Sequence, residues 1–225
     1  MPHLRRSSLI DELGRIASEL RVRGGTFGHW MPHPCDVPPT ERQRLRNAAE
    51  RTATDRCLAD LLASVGLPAV APAHLGSGAR KWPPGYTGSV SHKGATVVAA
   101  IAPTDRMTSI GIDIERLDGK DVPVISELDG PRQPSAVAGE TRTILFSIQE
   151  AAYKALDPVV GHNICAKDIH VSWSRPGPVR SRAVARARGV AVEVRCSVAV
   201  ASWIVSAALW PVTVAPGLRP RCDGV

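Results

Sequence analysis

Apolar and polar positions along the chain change period several times. Residues 8–21 carry apolar side chains at helical spacing and predict a short amphipathic helix. A Gly/Pro-rich stretch, "GGTFGHWMPHPCDVPP", interrupts the pattern. Thr40 then precedes "ERQRLRNAAERTATDRCLADLLASVG", with Gln43 placed where a capping box takes Glu or Gln. Leu45, Ala48, Ala49, Ala53, Leu58 and Leu61 recur at helical spacing, and Gly66 and Pro68 close the helix. Arg44 and Arg51, seven apart, share one of its faces. Residues 69–87 read as loop. "TGSVSHKGATVVAAIA" predicts two strands with a turn near Lys93-Gly94, and "MTSIGIDIERL" a third. In that third strand Ile110, Ile112 and Ile114 alternate with Gly111, Asp113 and Glu115. Residues 118–138 are polar and read as a linker, 141–156 as helix, and 157–168 as loop. "DIHVSWS", "RAVARAR", "VAVEVRCSV" and "SWIVSAALW" predict four more strands, and the last eleven residues a disordered tail.

The order helix, strands, linker, helix, strands implies an α+β protein of two similar halves, without a detectable sequence repeat. Its 225 residues suffice for one larger domain or two small fused ones. At 44% hydrophobic and 4% aromatic, the core must be built from Ala, Val, Leu and Ile. The most apolar run, residues 197–210, is too short for a membrane helix and reads as buried sheet. Five cysteines (35, 57, 165, 196 and 222) are odd in number and contain no C-x-x-C pair, which points to reduced thiols in a cytoplasmic protein. The net charge is +7, and of the 28 basic residues only Lys81, Lys93, Lys120, Lys154 and Lys167 are lysines. An Arg-rich surface suits a phosphate-bearing ligand or an acidic protein partner. The same balance also arises from a general Arg/Ala bias.

Three stretches carry candidate chemistry. On the "GIDIE" strand Asp113 and Glu115 project together. Two like charges on one face call for neutralisation, and an oxygen-only donor set favours Mg²⁺; solvation or an arginine partner would serve equally. In "ILFSIQEAAYKAL", Glu150 and Lys154 share a helical face. That spacing describes a third carboxylate beside a phosphate-binding ammonium, or an ordinary surface ion pair. In "WPPGYTGSVSHKG", His92 follows a Gly- and Ser-rich approach that can present N–H groups to an anion, or is a plain strand-end histidine. No dinucleotide-binding or phosphate-loop glycine motif, zinc-protease motif or serine elbow is present, and scarce aromatics argue against nucleic-acid binding.

Taken in order, "WPPGYTGSVSHKG", "GIDIE" and "FSIQEAAYKA" resemble three blocks of the 4'-phosphopantetheinyl transferases, in the larger two-lobed class and most of all its enterobactin-synthase-component branch. The resemblance covers about residues 40–210. It implies two pseudo-symmetric lobes, each a small antiparallel sheet packed with a long helix, with the active site between them. Residues 1–118 would form the N-terminal lobe, 119–214 the C-terminal lobe and 215–225 the tail. It further implies transfer of 4'-phosphopantetheine from coenzyme A to a serine of an acidic acyl or peptidyl carrier protein, releasing 3',5'-ADP. Asp113, Glu115 and Glu150 would hold Mg²⁺ (or Mn²⁺), with Glu150 also the base. Lys154 would neutralise pyrophosphate charge. Ser91, His92, Arg51 and, as a weaker match, Arg44 would bind coenzyme A together with Asp113. A cytoplasmic monomer without nucleic-acid or membrane partners is expected.

The chain departs from the family pattern in three places. Gln149 stands where the family usually has Lys, and Lys93 where a small residue is usual. Arg80 and Lys81 lie unusually close to "WPPG" and take no assigned role. Gln149 leaves open a second expectation: a degenerate relative that binds coenzyme A or a carrier protein with little transfer.

Overall fold

The computed structural model describes residues 6–26, 38–75, 79–117, 139–160, 164–165, 168–173, 180–199 and 203–212. The expected linker at 118–138 and the tail at 215–225 lie outside the described residues. The chain is α+β and two-lobed. Helix α1 (Arg6–Ile16) leads into strand β1 (Arg21–Thr26), then helix α2 (Pro39–Ala63) and strands β2 (Tyr86–Lys93), β3 (Thr96–Pro103) and β4 (Met107–Arg116). Helix α3 (Gly139–Val160) precedes β5 (His170–Trp173), β6 (Arg180–Ala187), β7 (Val190–Ala199) and β8 (Trp203–Pro211). A three-stranded sheet has the order β1-β3-β2 and a five-stranded sheet the order β4-β8-β7-β6-β5, and every ladder is antiparallel.

The hairpin β2–β3 turns at Gly94, which takes φ +60, a conformation open to glycine at little cost. β3 is an unbroken apolar run because both its faces are covered. Val97, Ala99 and Ile101 meet Cys57, Leu58, Leu61 and Leu62 of α2. Val98, Ala100 and Ala102 meet Leu9, Leu13 and Ile16 of α1. On the larger sheet, Ile148, Ala151, Ala152, Ala155 and Leu156 of α3 pack on Ala183, Ala185, Val192, Val194, Ile204 and Ala208. α1 covers part of the opposite face. Its Glu12 is buried, accepts a hydrogen bond from Ser197 at 2.6 Å and pairs with Arg15. Arg195 of β7 closes the end of the same helix, donating to the Ile16 carbonyl at 3.1 Å and pairing with Glu19.

Several local expectations are corrected. β1 replaces the expected Gly-rich irregular start after α1; it is held by pairing with β3 rather than by any alternation of its own. α2 starts at Pro39, and Pro38 occupies the cap position without a side-chain cap bond. Proline at the first helical positions needs no amide partner, so Thr40 is already inside the helix. Gln43 donates instead to Asn47 at 2.8 Å. The first half of α2 also stands clear of the core: Leu45 is 39% exposed and Ala48 is exposed. α3 outruns its predicted span at both ends and carries Pro158 inside. Finally, β4 is buried on both faces: Ile110, Ile112 and Ile114 face the α1 core while Gly111 lies under α3.

β4 lies before the expected lobe boundary at 118/119, yet it pairs with β8 as an edge of the five-stranded sheet. Its free edge meets β2. There Ile112 N–H donates to Ser89 Oγ (3.0 Å) and Ile114 N–H to Ser91 Oγ (3.3 Å). Each bond joins residues 23 apart, so β2 and β4 run in the same direction. Serine hydroxyls thus take the place of backbone carbonyls and stitch the two sheets along one seam.

Candidate active site at the seam between the sheets

The seam gathers the candidate residues from three elements. The first is β2, whose approach is set by "WPPGYTG". A Cβ at Gly88 would come within 2.5 Å of the Trp82 ring, and Gly85 takes φ +82. The two glycines therefore seat an indole and a turn at the start of β2. Ser89 and Ser91, two apart, then point to the same side, toward β4.

Asp113 lies opposite Ser91. Its Oδ1 accepts from Ser91 Oγ at 2.9 Å and from Lys154 Nζ at 2.9 Å. Lys154 reaches the seam from α3 and also donates to the Ile112 carbonyl at 3.1 Å and to Ser91 at 3.3 Å. The approach of α3 depends on Gly111: a Cβ there would collide with the Ala151 carbonyl oxygen and stand 2.7 Å from the Ala155 nitrogen. Lys154 thus makes no ion pair with Glu150, the helix partner its spacing offered; it pairs across the seam with Asp113. Asp113 Oδ2 is buried and has no hydrogen-bond partner among the described residues.

Glu115, two residues on, is buried beside Lys93, whose Nζ lies 2.7 Å from Oε2. The contact is a close ion pair. Burial pushes the Glu115 carboxyl above the usual range, Lys93 opposes this and Asp113 adds to it. Glu150 is half-buried one turn from Lys154. Burial raises its carboxyl too, opposed by Lys154 and reinforced by Asp113. Asp113 is thus a charge neighbour of both Glu115 and Glu150. Among the described residues, no three His, Cys, Asp or Glu side chains converge as a ready-made metal-ligand group. Asp113 and Glu115 are each turned to an ammonium instead. The donor chemistry nevertheless fits a hard divalent cation. It is all oxygen, and Asp113 Oδ2 is buried without a hydrogen-bond partner among the described residues.

The remaining predicted residues lie toward α2. His92 is exposed, and its Nε2 lies 2.7 Å from Glu50 Oε1 on α2. Arg44 and Arg51 are exposed on the same helix. Arg80 bonds Asp55 and the Pro72 carbonyl, both at 2.9 Å, and ties a loop to α2. Gln149 is 3% exposed; an uncharged amide suits that depth, where a lysine would need a counter-ion. Ser89 and Glu50 were missed by sequence reasoning. The i, i+2 spacing of Ser89 and Ser91 was the available signal for the first, and nothing local marks the second.

No family profile matches the chain. Two curated proteins are similar to it. One is the 4'-phosphopantetheinyl transferase Npt of Nocardia iowensis, 28% identical over 152 residues, covering 63% of this chain and 68% of that protein. The other is the 4'-phosphopantetheinyl transferase PptT of Mycobacterium tuberculosis, 28% identical over 150 residues, covering 63% of this chain and 65% of that protein, just under two thirds of its length. Both similarities support assignment to the family that the three sequence blocks resemble.

Proposed function

We propose that this chain is a 4'-phosphopantetheinyl transferase of the two-lobed class. It would move 4'-phosphopantetheine from coenzyme A to a serine hydroxyl of an acyl or peptidyl carrier protein and release 3',5'-ADP. One observation carries the reading: carboxylates from β4 and α3, with Lys154 among them, lie at the seam of a chain similar to two named transferases.

The residue roles are those the family resemblance implies, and the chemistry of the side chains agrees with them. Asp113, Glu115 and Glu150 are the oxygen donors that would hold Mg²⁺ or Mn²⁺. Such an ion, when bound, neutralises pyrophosphate charge. Lys154 holds Asp113 in place and presents an ammonium toward the phosphates. Ser91 fixes the other side of Asp113. Glu150, half-buried with a raised carboxyl, is the group that would accept the serine proton. His92, Arg51 and Arg44 offer cationic or donor groups to coenzyme A phosphates. Transfer at phosphorus depends mainly on positioning and electrostatics. A chain of net charge +7 steers an acidic carrier protein toward itself. The protein acts as a cytoplasmic monomer in this reading; no helix among the described residues is long and apolar enough to cross a membrane.

The test is incubation with coenzyme A, Mg²⁺ and several apo carrier proteins, read by intact mass. A phosphopantetheine gain is expected, lost in Asp113→Ala; no gain on any carrier sinks the proposal. The buried neutral Gln149 favours one second reading, a relative that binds coenzyme A without transfer. Calorimetric binding of coenzyme A with no mass gain is its signature.

A further inference from the structure

The two ammonium groups at the seam are not equivalent. Lys154 is fixed by three oxygens, on Asp113, Ile112 and Ser91. Lys93 ends β2, next to the Gly94 turn, and Glu115 is its ion-pair partner among the described residues, at 2.7 Å. The Lys93 side chain is 23% exposed and that of Glu115 7%. A long, partly exposed side chain at a strand end, held by a single carboxylate, can leave without disturbing the sheet.

Asp113 and Glu115 sit two apart on a strand buried on both faces. Two carboxylates so placed cannot both stay ionised without counter-charges. The protein supplies one ammonium for each, Lys154 for Asp113 and Lys93 for Glu115.

We propose that Lys93 is an internal counter-ion of the cation site: it occupies Glu115 in the metal-free protein and competes there with a divalent cation. The inference rests on reading Asp113, Glu115 and Glu150 as cation donors. Arrival of a second positive charge at Glu115 repels the Lys93 ammonium, whose partly exposed side chain then turns to solvent.

The experiment is a Mn²⁺ titration of the full chain without coenzyme A or carrier protein, with the free ion followed by electron paramagnetic resonance. Lys93→Met is expected to bind Mn²⁺ about fivefold tighter than the wild type, the factor for removing one modest ion-pair competitor. Lys93→Arg, which keeps the charge, should match the wild type. In a Glu115→Gln background the gain from Lys93→Met should vanish, because the competition acts through that carboxylate. Lys93→Gln serves as a second neutral variant should the Met variant fold poorly. Unchanged or weaker binding in the neutral variants overturns the proposal. So does an equal gain in the Glu115→Gln background, or no binding by any variant. Carrier mass gain together with any of these results removes the counter-ion role and leaves the transferase reading standing. A coupled Lys93/Glu115 effect without mass gain does the reverse.

Discussion

Lys154 holds the most connected position at the seam, and its removal separates two effects. Lys154→Ala leaves Asp113 buried with its charge opposed only by the Ser91 hydroxyl. Stripping one partner from a buried pair is strongly destabilising, so a loss of about 3 kcal/mol is expected in urea unfolding, together with loss of transfer. Glu150 behaves in the opposite sense. Its folded carboxyl is raised by burial, so the ionised form is disfavoured in the fold. The penalty is fully present above the folded pKa and absent below the unfolded one. Glu150→Gln should therefore raise the melting temperature at neutral pH, with the gain fading as pH falls from the raised folded value down to the ordinary carboxylate value, while abolishing transfer. A variant that melts lower at neutral pH contradicts the burial argument. Gln149 is the residue the sequence marked as a departure, and its burial shows why composition alone could not interpret it. The depth of a side chain on α3 is set by the sheet beneath, which no local pattern encodes.

At the scale of elements, the close contact of α3 with β4 turns on Gly111. Gly111→Ala drives a methyl into helix backbone rather than into a yielding side chain. It should destabilise by about 3 kcal/mol, the upper end for overpacking, and shift Glu150 and Lys154 with the helix. Gly14 in α1 is the control. Nothing lies within 4 Å of a Cβ there, so Gly14→Ala should be neutral or stabilise by up to about 1 kcal/mol through helix propensity. Paired urea titrations check both. The β2–β3 hairpin was legible because two strand-forming runs flank Lys93-Gly94, β6 and β7 because their polar and apolar residues largely alternate, and β8 because it is a short, nearly continuous apolar run. β1 was not: "RVRGGT" carries one buried apolar residue, Val22, and forms because β3 offers an edge. The Thr40/Gln43 capping box failed because the prolines before it start the helix earlier. The ordered motifs named the seam's main residues. They did not reveal that Ser89 and Ser91 join the sheets, since a hydroxyl-to-amide bond over 23 residues leaves no periodic trace.

For the whole molecule, the apolar core under α1 draws on both sheets at once, from β3 as well as β4 and β8. The two lobes therefore stand or fall together, and unfolding should show one transition by both tryptophan fluorescence and far-ultraviolet circular dichroism. The placement of β4 carries this further. It belongs by chain order to the first half and by hydrogen bonding to the second, so the first half lends a strand to its neighbour. Asp113 and Glu115 travel on the lent strand, Glu150 and Lys154 on the recipient. Cut between residues 117 and 139, the chain becomes two pieces that each hold half of the chemistry and need each other to close a sheet. Co-expressed, they should co-purify as a heterodimer. Transfer by that pair, absent from either piece alone, would make this fold a split reporter whose signal is association itself.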